Sequence, residues 1–263
     1  MKYIYSLALV AMALASTSNA QKYLTAMGSF RNNAVIKTSL YPRYTDPTYP
    51  VLDVNSPDMV CRTPDMSYQP TPFQIYSDDT LFLQFDMDTN PAIISDDKKG
   101  QHIWGPCIVY MAEASATSSA LKWFKVFEYA GDKDRWCSES IALDGTVLQV
   151  PMKKNLKTGY YIVRTEIIGL NMADGLSSNG NNMGAQFYPS CGLIAFTNVH
   201  NRTKVPETTV SIPGVYKATD PSLLLKAGIF NTKAVSYTIP GPAEFDPPKR
   251  GHPYILLRPE TFN

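Results

Sequence analysis

Histidine is scarce in this 263-residue chain, occurring only at His102, His200 and His252. That leaves few imidazoles to bind a metal or to carry protons near neutral pH. Charge of one sign is lacking too, with 24 basic against 23 acidic residues. Without a basic excess there is little to attract nucleic acid or an anionic membrane, so a neutral partner is expected. No two cysteines are spaced Cys-x-x-Cys, which argues against zinc. The Gly-x-Ser-x-Gly elbow, the phosphate-binding loop and the His-Glu-x-x-His helix are all missing. The one apolar run that stands out, Leu7–Ala15, is far short of the ~20 residues that span a bilayer.

That run follows Lys2 and precedes Ser18-Asn19-Ala20, with small residues at the two positions a signal peptidase inspects. It predicts a secretory leader over residues 1–20, cleavage after Ala20, Gln21 as the first mature residue and an extracellular location. Cleavage would remove Lys2 alone among the charged residues, leaving 23 of each sign. In a secreted chain the four cysteines, Cys61, Cys107, Cys137 and Cys191, imply two disulfides, and spacing alone permits three pairings. Asn201-Arg202-Thr203 is an N-glycosylation sequon, expected at the surface.

What is present reads as strand. Proline, glycine and tyrosine are spread throughout, and no long segment keeps a helical period. Thr80–Met87 alternates, with Leu81, Leu83 and Phe85 on one side and Gln84 and Asp86 on the other; Phe82 is an exception. Cys107–Ala112, Leu121–Tyr129, Gly159–Leu170, Cys191–Thr197 and Ala234–Pro240 also read as strands, separated by turn-rich stretches such as Ser177–Gly184. Many short strands with polar turns predict an all-β sandwich or barrel. We expect one domain over 21–245 and a proline-rich extended tail over 246–263.

Few residues suggest chemistry. The acidic pairs Asp78-Asp79, Asp96-Asp97 and Asp132/Asp134 could serve a glycosidase, but turn positions account for them better. In Gly184–Cys191, period-two geometry puts Gln186 and Tyr188 on one face and Phe187 on the other. The pair is either a site or a packed tyrosine held by its neighbour. His102 lies in a glycine-rich loop before a buried strand, where functional and structural roles are equally open.

The segments GPCIVYMA, LKWFKVFEYAG, RWCSESI, TGYYIVRTEIIGL, GAQFYPSC, SIPGVYKATDPSLLL and YTIPGPAEF, in this order, resemble the fungal cellulose-active lytic polysaccharide monooxygenases of auxiliary activity family nine. The resemblance runs from about Val51 to Phe245 and includes an early Ser-Pro-Asp…Cys segment. It implies an immunoglobulin-like sandwich and the pairings Cys61–Cys191 and Cys107–Cys137. It also implies a copper ion held by an N-terminal histidine, through its amine and ring, and by a second histidine. On that pattern Tyr188 is the axial tyrosine, Gln186 the neighbouring glutamine, and Asn171 stands where a histidine is expected. His102 is the only candidate for the second ligand, with two residues rather than one before Gly105-Pro106. Gln21 replaces the first ligand, and no histidine precedes His102, so the brace is incomplete and copper is expected to be absent or weakly held.

Three readings follow. The first is a secreted, monomeric protein that binds cellulose or another cell-wall β-glucan without oxidising it, with Tyr23 and Tyr216 as candidates to stack on sugar. The second is an active copper monooxygenase with an altered ligand set. The third is a non-enzymatic cell-surface interaction protein that uses the tail.

Overall fold

In the computed structural model the described residues are 22–31, 34–38, 40, 50–63, 70–87, 104–114, 120–133, 135–144, 147–176, 184–226, 228 and 232–248. They form two sheets packed face to face. One has the order β2-β1-β4-β7: Ala34–Thr38, Lys22–Arg31, Thr80–Met87 and Leu148–Pro151. The other has the order β3-β9-β8-β5-β6: Phe73–Tyr76, Gln186–Thr197, Gly159–Gly169, Cys107–Glu113 and Phe124–Tyr129. Every pairing is antiparallel except β3 with β9. The all-β sandwich expected from the sequence is therefore what forms.

Alternation explains the core. Leu81, Leu83 and Met87 of β4 point between the sheets and are buried, with Phe85 partly buried beside them. Val109 and Met111 of β5 meet them from the other side, as do Val163 and Ile167 of β8 and Ile194 and Phe196 of β9. The outer face of the five-stranded sheet is buried as well, under irregular chain from 51–62 and 210–239. Ile108, Tyr110, Ile162, Ile168, Phe187 and Leu193 lie there. Burial on both faces is why β5 and β8 read as nearly continuous apolar runs rather than alternating ones.

Charge is buried on that outer face too. Arg164 and Glu166, two apart on β8, form a fully buried ion pair at 2.6 Å. Arg164 also donates to the Met59 and Val60 carbonyls, and Glu166 accepts from the Tyr216 hydroxyl at 2.6 Å.

Both disulfides have the pairing the resemblance implies, Cys61–Cys191 and Cys107–Cys137. The first spans 130 residues, so in the chain-entropy picture it contributes about 4–5 kcal/mol.

The sequence reading missed β1, β2, β3, β7 and the helix over Cys137–Asp144, and one strand that it expected does not form. Ala234–Pro240 is not a strand: Ala234–Ser236 is a 3-10 turn, and Tyr237 packs edge-on against Trp136 while its hydroxyl donates to the Ser222 carbonyl. Strand β1 carries a bulge between Leu24 and Ala26, so its two core residues, Leu24 and Met27, are three apart and the period-two signal is lost. Helix α1, Cys137–Asp144, is too short to show a period, although Ile141 and Ala142 enter the core. Finally, the chain at 244–246 is tied to the sandwich as a strap. Phe245 packs edge-on against Phe124 and its amide donates to the Lys125 carbonyl; Asp246 accepts from Asn155 and Lys204, and Lys153 pairs with Glu244. This strap caps the edge strand β6 and ties it to the loop after β7.

The buried pair generates a test. Replacing Arg164 by Met strands the Glu166 carboxylate in a dry site, so urea unfolding of R164M should show a loss of about 3–5 kcal/mol. Restoring neutrality in R164M/E166Q should recover part of it.

Candidate functional site

Strand β9 begins at Gln186, opposite Gly169 of β8, and Tyr188 lies opposite Ile167. Both side chains follow the alternation read from the sequence: Tyr188 joins the core between the sheets and Phe187 the outer one. The Tyr188 hydroxyl donates to Gln186 Oε1 at 3.2 Å. The Arg62 guanidinium lies 6.0 Å from the Tyr188 ring centroid, a weak cation–π distance. Burial holds the Tyr188 hydroxyl well above its ordinary value of 10.0, with Arg62 opposing the shift. It is a neutral phenol throughout the ordinary pH range.

Asn171 follows β8. Its Oδ1 accepts the Trp104 amide at 2.8 Å, and the Leu170 amide donates to the Trp104 carbonyl. Gly105 then passes so close to β8 that a Cβ would sit 1.7 Å from the Ile168 carbonyl oxygen. Only glycine permits that approach. Asn171 thus straps the segment leading into β5 onto the end of β8. A carboxamide in this position accepts a hydrogen bond but does not titrate.

The same end of the sandwich receives the start of β1. Strand β3 runs parallel to β9, β4 returns after the turn at Ser77–Asp79, and Lys22 pairs with Met87 at the far end of β4. Lys22 therefore enters where β9 begins. Gln21 and His102 lie outside the described residues, as does the Tyr23 side chain.

Other sequence candidates fall elsewhere. Tyr216 cannot face a substrate: it is 2% exposed, its ring stacks on Phe187 at 5.6 Å, and its hydroxyl is held by Glu166 and Tyr110. A tyrosine with a buried carboxylate waiting for its hydroxyl is spent on packing. His200 follows the opposite end of β9, about 35 Å of extended chain away, and its Nε2 is 2.7 Å from Asp78 Oδ1. The acidic pairs take turn roles: Asp79 accepts the Tyr76 amide and Asp132 the Arg135 amide. Asp96, Asp97 and Asp134 lie outside the described residues. No cluster of three or more His, Cys, Asp or Glu side chains able to hold a metal occurs among the described residues. The sequence reading missed the buried network around Arg164 and Glu166, whose only signal was their i, i+2 spacing in an apolar strand.

Comparison with known proteins agrees with the fold. A profile of Auxiliary Activity family 9, formerly GH61, matches residues 11–237. The AA9 family lytic polysaccharide monooxygenase AA9-X282 of Trametes coccinea is 29% identical over 88% of this chain and 78% of its own length. AA9 family lytic polysaccharide monooxygenase A of Aspergillus fumigatus is 32% identical over 91% of this chain and 65% of its own. Among solved structures, CvAA9A superposes with a TM-score of 0.70 at 22% identity, covering 86% of this chain and 98% of that one. Cel61B of Hypocrea jecorina, a glycoside hydrolase family 61 member, gives 0.55 at 26% identity over 73% and 78%.

Raised tyrosine values carry a stability consequence. Tyr188, Tyr110, Tyr216 and Tyr237 all have hydroxyls held above 10.0, chiefly by burial. Their contribution is complete below about pH 10 and is lost as pH rises from there toward their folded values. Absorbance titration at 295 nm should show a set of tyrosines that ionise only when the protein unfolds.

Proposed function

The chain belongs to Auxiliary Activity family 9, and on that premise we propose that it is a secreted, monomeric protein that binds cell-wall polysaccharide, cellulose or another β-glucan, without oxidising it. The donor set carries this reading. Copper in a nitrogen site needs imidazole and amine ligands. Around the start of β9 the described donors are the Tyr188 phenol and the Gln186 and Asn171 carboxamides. No histidine occurs anywhere before His102, so β1 brings none to this end, whatever residue precedes it. His200 is committed to Asp78 at the other end. One imidazole, from the segment before Trp104, is the most this end can receive from the first 199 residues. The residues present therefore do not fit the family's copper ion.

Two features support secretion: the leader-like run Leu7–Ala15 and the paired cysteines. No helix among the described residues is long and apolar enough to cross a membrane. Asn201 is exposed beyond the C-terminal end of β9, so a glycan on it would leave the Gln186 end open.

A second reading, an active copper monooxygenase with a changed ligand set, draws on the retained hydrogen bond between Tyr188 and Gln186. Calorimetry on secreted protein separates the two. The binding reading expects no sub-micromolar Cu(II) site, no oxidised oligosaccharides from cellulose, and retention on insoluble cellulose or β-glucan. Tight copper with oxidised products would establish the second reading; failure to be retained on any glycan would remove the first. Intact mass before and after enzymatic deglycosylation should show one N-glycan, lost in Asn201→Gln.

A further inference from the structure

A cleft of about 370 Å³ opens on the outer face of the five-stranded sheet, where β9 begins. Its volume lies within the range of small-ligand sites. Phe187 lines it, and Phe187 packs on the outer face while Tyr188 packs between the sheets, so the cleft is on the opposite side of β9 from Tyr188. Leu52–Asn55 form one wall, and Leu176 and Ala218 line it elsewhere. Two kinds of surface meet there. Leu52 is half-buried and Leu176 is 41% exposed, giving an aliphatic lining. Asp53 and Asn55 are exposed and polar. Asp53 Oδ1 accepts the Asn55 amide at 2.9 Å, which fixes the turn. The second Asp53 oxygen and the Asn55 carboxamide have no partner among the described residues.

We infer that this cleft binds a single glucan chain, with the C–H faces of the sugar rings on Leu52 and Leu176 and the hydroxyls directed to Asp53 and Asn55. The inference rests on the polysaccharide reading above. The chemistry selects the occupant. No basic side chain lines the cleft among the described residues, so an anionic ligand would gain nothing there and would meet the Asp53 carboxylate. A carboxylate and a carboxamide beside aliphatic carbon suit a neutral ligand rich in hydroxyls, since charge-assisted hydrogen bonds to hydroxyl donors are strong. The shape selects one chain over a crystal face. The large apolar side chains exposed among the described residues are Tyr160, Leu176, Val199, Val205 and Val235. Only Leu176 lines the cleft, and the one aromatic, Tyr160, lies near the start of β8, at the other end of the sandwich. No described aromatic platform for a flat surface accompanies the cleft.

The test is calorimetry with soluble cellohexaose and laminarihexaose, alongside retention on insoluble cellulose and β-glucan. Wild type should bind at least one hexaose. Ala218→Trp places a ring into the cleft from an exposed position and should weaken that binding at least tenfold. Asp53→Asn keeps an acceptor for the Asn55 amide and should weaken it by about tenfold, the loss of one charge-assisted hydrogen bond. Circular dichroism checks that both variants fold. Equal hexaose affinity in wild type and both variants would overturn the cleft, as would retention on insoluble glucan with no hexaose binding; the polysaccharide reading would survive either result. Absence of binding to every soluble and insoluble glucan would end both.

Discussion

The Arg164–Glu166 pair is the constraint on which the outer face of the five-stranded sheet depends. Two charges side by side in a dry site are costly, and their mutual attraction alone does not repay the loss of water. The cost is offset by what else the two groups hold. Arg164 reaches the Met59 and Val60 carbonyls, fixing the chain just before Cys61. Glu166 accepts from Tyr216, fixing the segment that later supplies Ala218 and Leu223 to the cleft. Tyr110 completes the set, with its hydroxyl 3.0 Å from that of Tyr216 and Arg164 lying 5.6 Å over its ring. Two long, mostly irregular stretches are thereby pinned to one strand. The Cys61–Cys191 bond secures the first of them covalently.

Much of the fold was legible because its strands obey simple periods. β4 alternates and packs as its alternation says, and β5 and β8 are largely apolar, apart from Arg164-Thr165-Glu166 in β8 and Glu113 at the end of β5, because both their faces are covered. Strand β1 was not legible, since its bulge moves Leu24 and Met27 out of period. Tyr237 misled for a different reason. A β-branched and aromatic run reads as strand, but here the partner of the run is a tryptophan edge and a carbonyl rather than a neighbouring ladder. Local propensity lost to tertiary packing.

The candidate site was half legible. Period two alone set Gln186 and Tyr188 together, and their hydrogen bond follows. The resemblance also marked Asn171 as a departure, though not its role as the acceptor that anchors Trp104. Tyr216 was misassigned because a tyrosine in a loop looks exposed, and nothing local reveals a buried carboxylate fifty residues away on β8. The cleft was invisible for the same reason. Its lining comes from segments around residues 52–55, 176, 184–187 and 218–223, which no short window contains.

The strap at Glu244–Asp246 has a consequence for how the molecule is made. Lys125 is buried with its ammonium on the Pro240 carbonyl and on Glu128, and Phe124 is covered by Phe245. Until residues 240–246 arrive, the ammonium lacks one acceptor and the ring lacks its cover. A chain emerging N-terminus first would complete both sheets before it could seal this edge. All nine strands thus precede the residues that seal the β6 edge, and a nascent chain stopped before residue 240 would leave that edge uncovered.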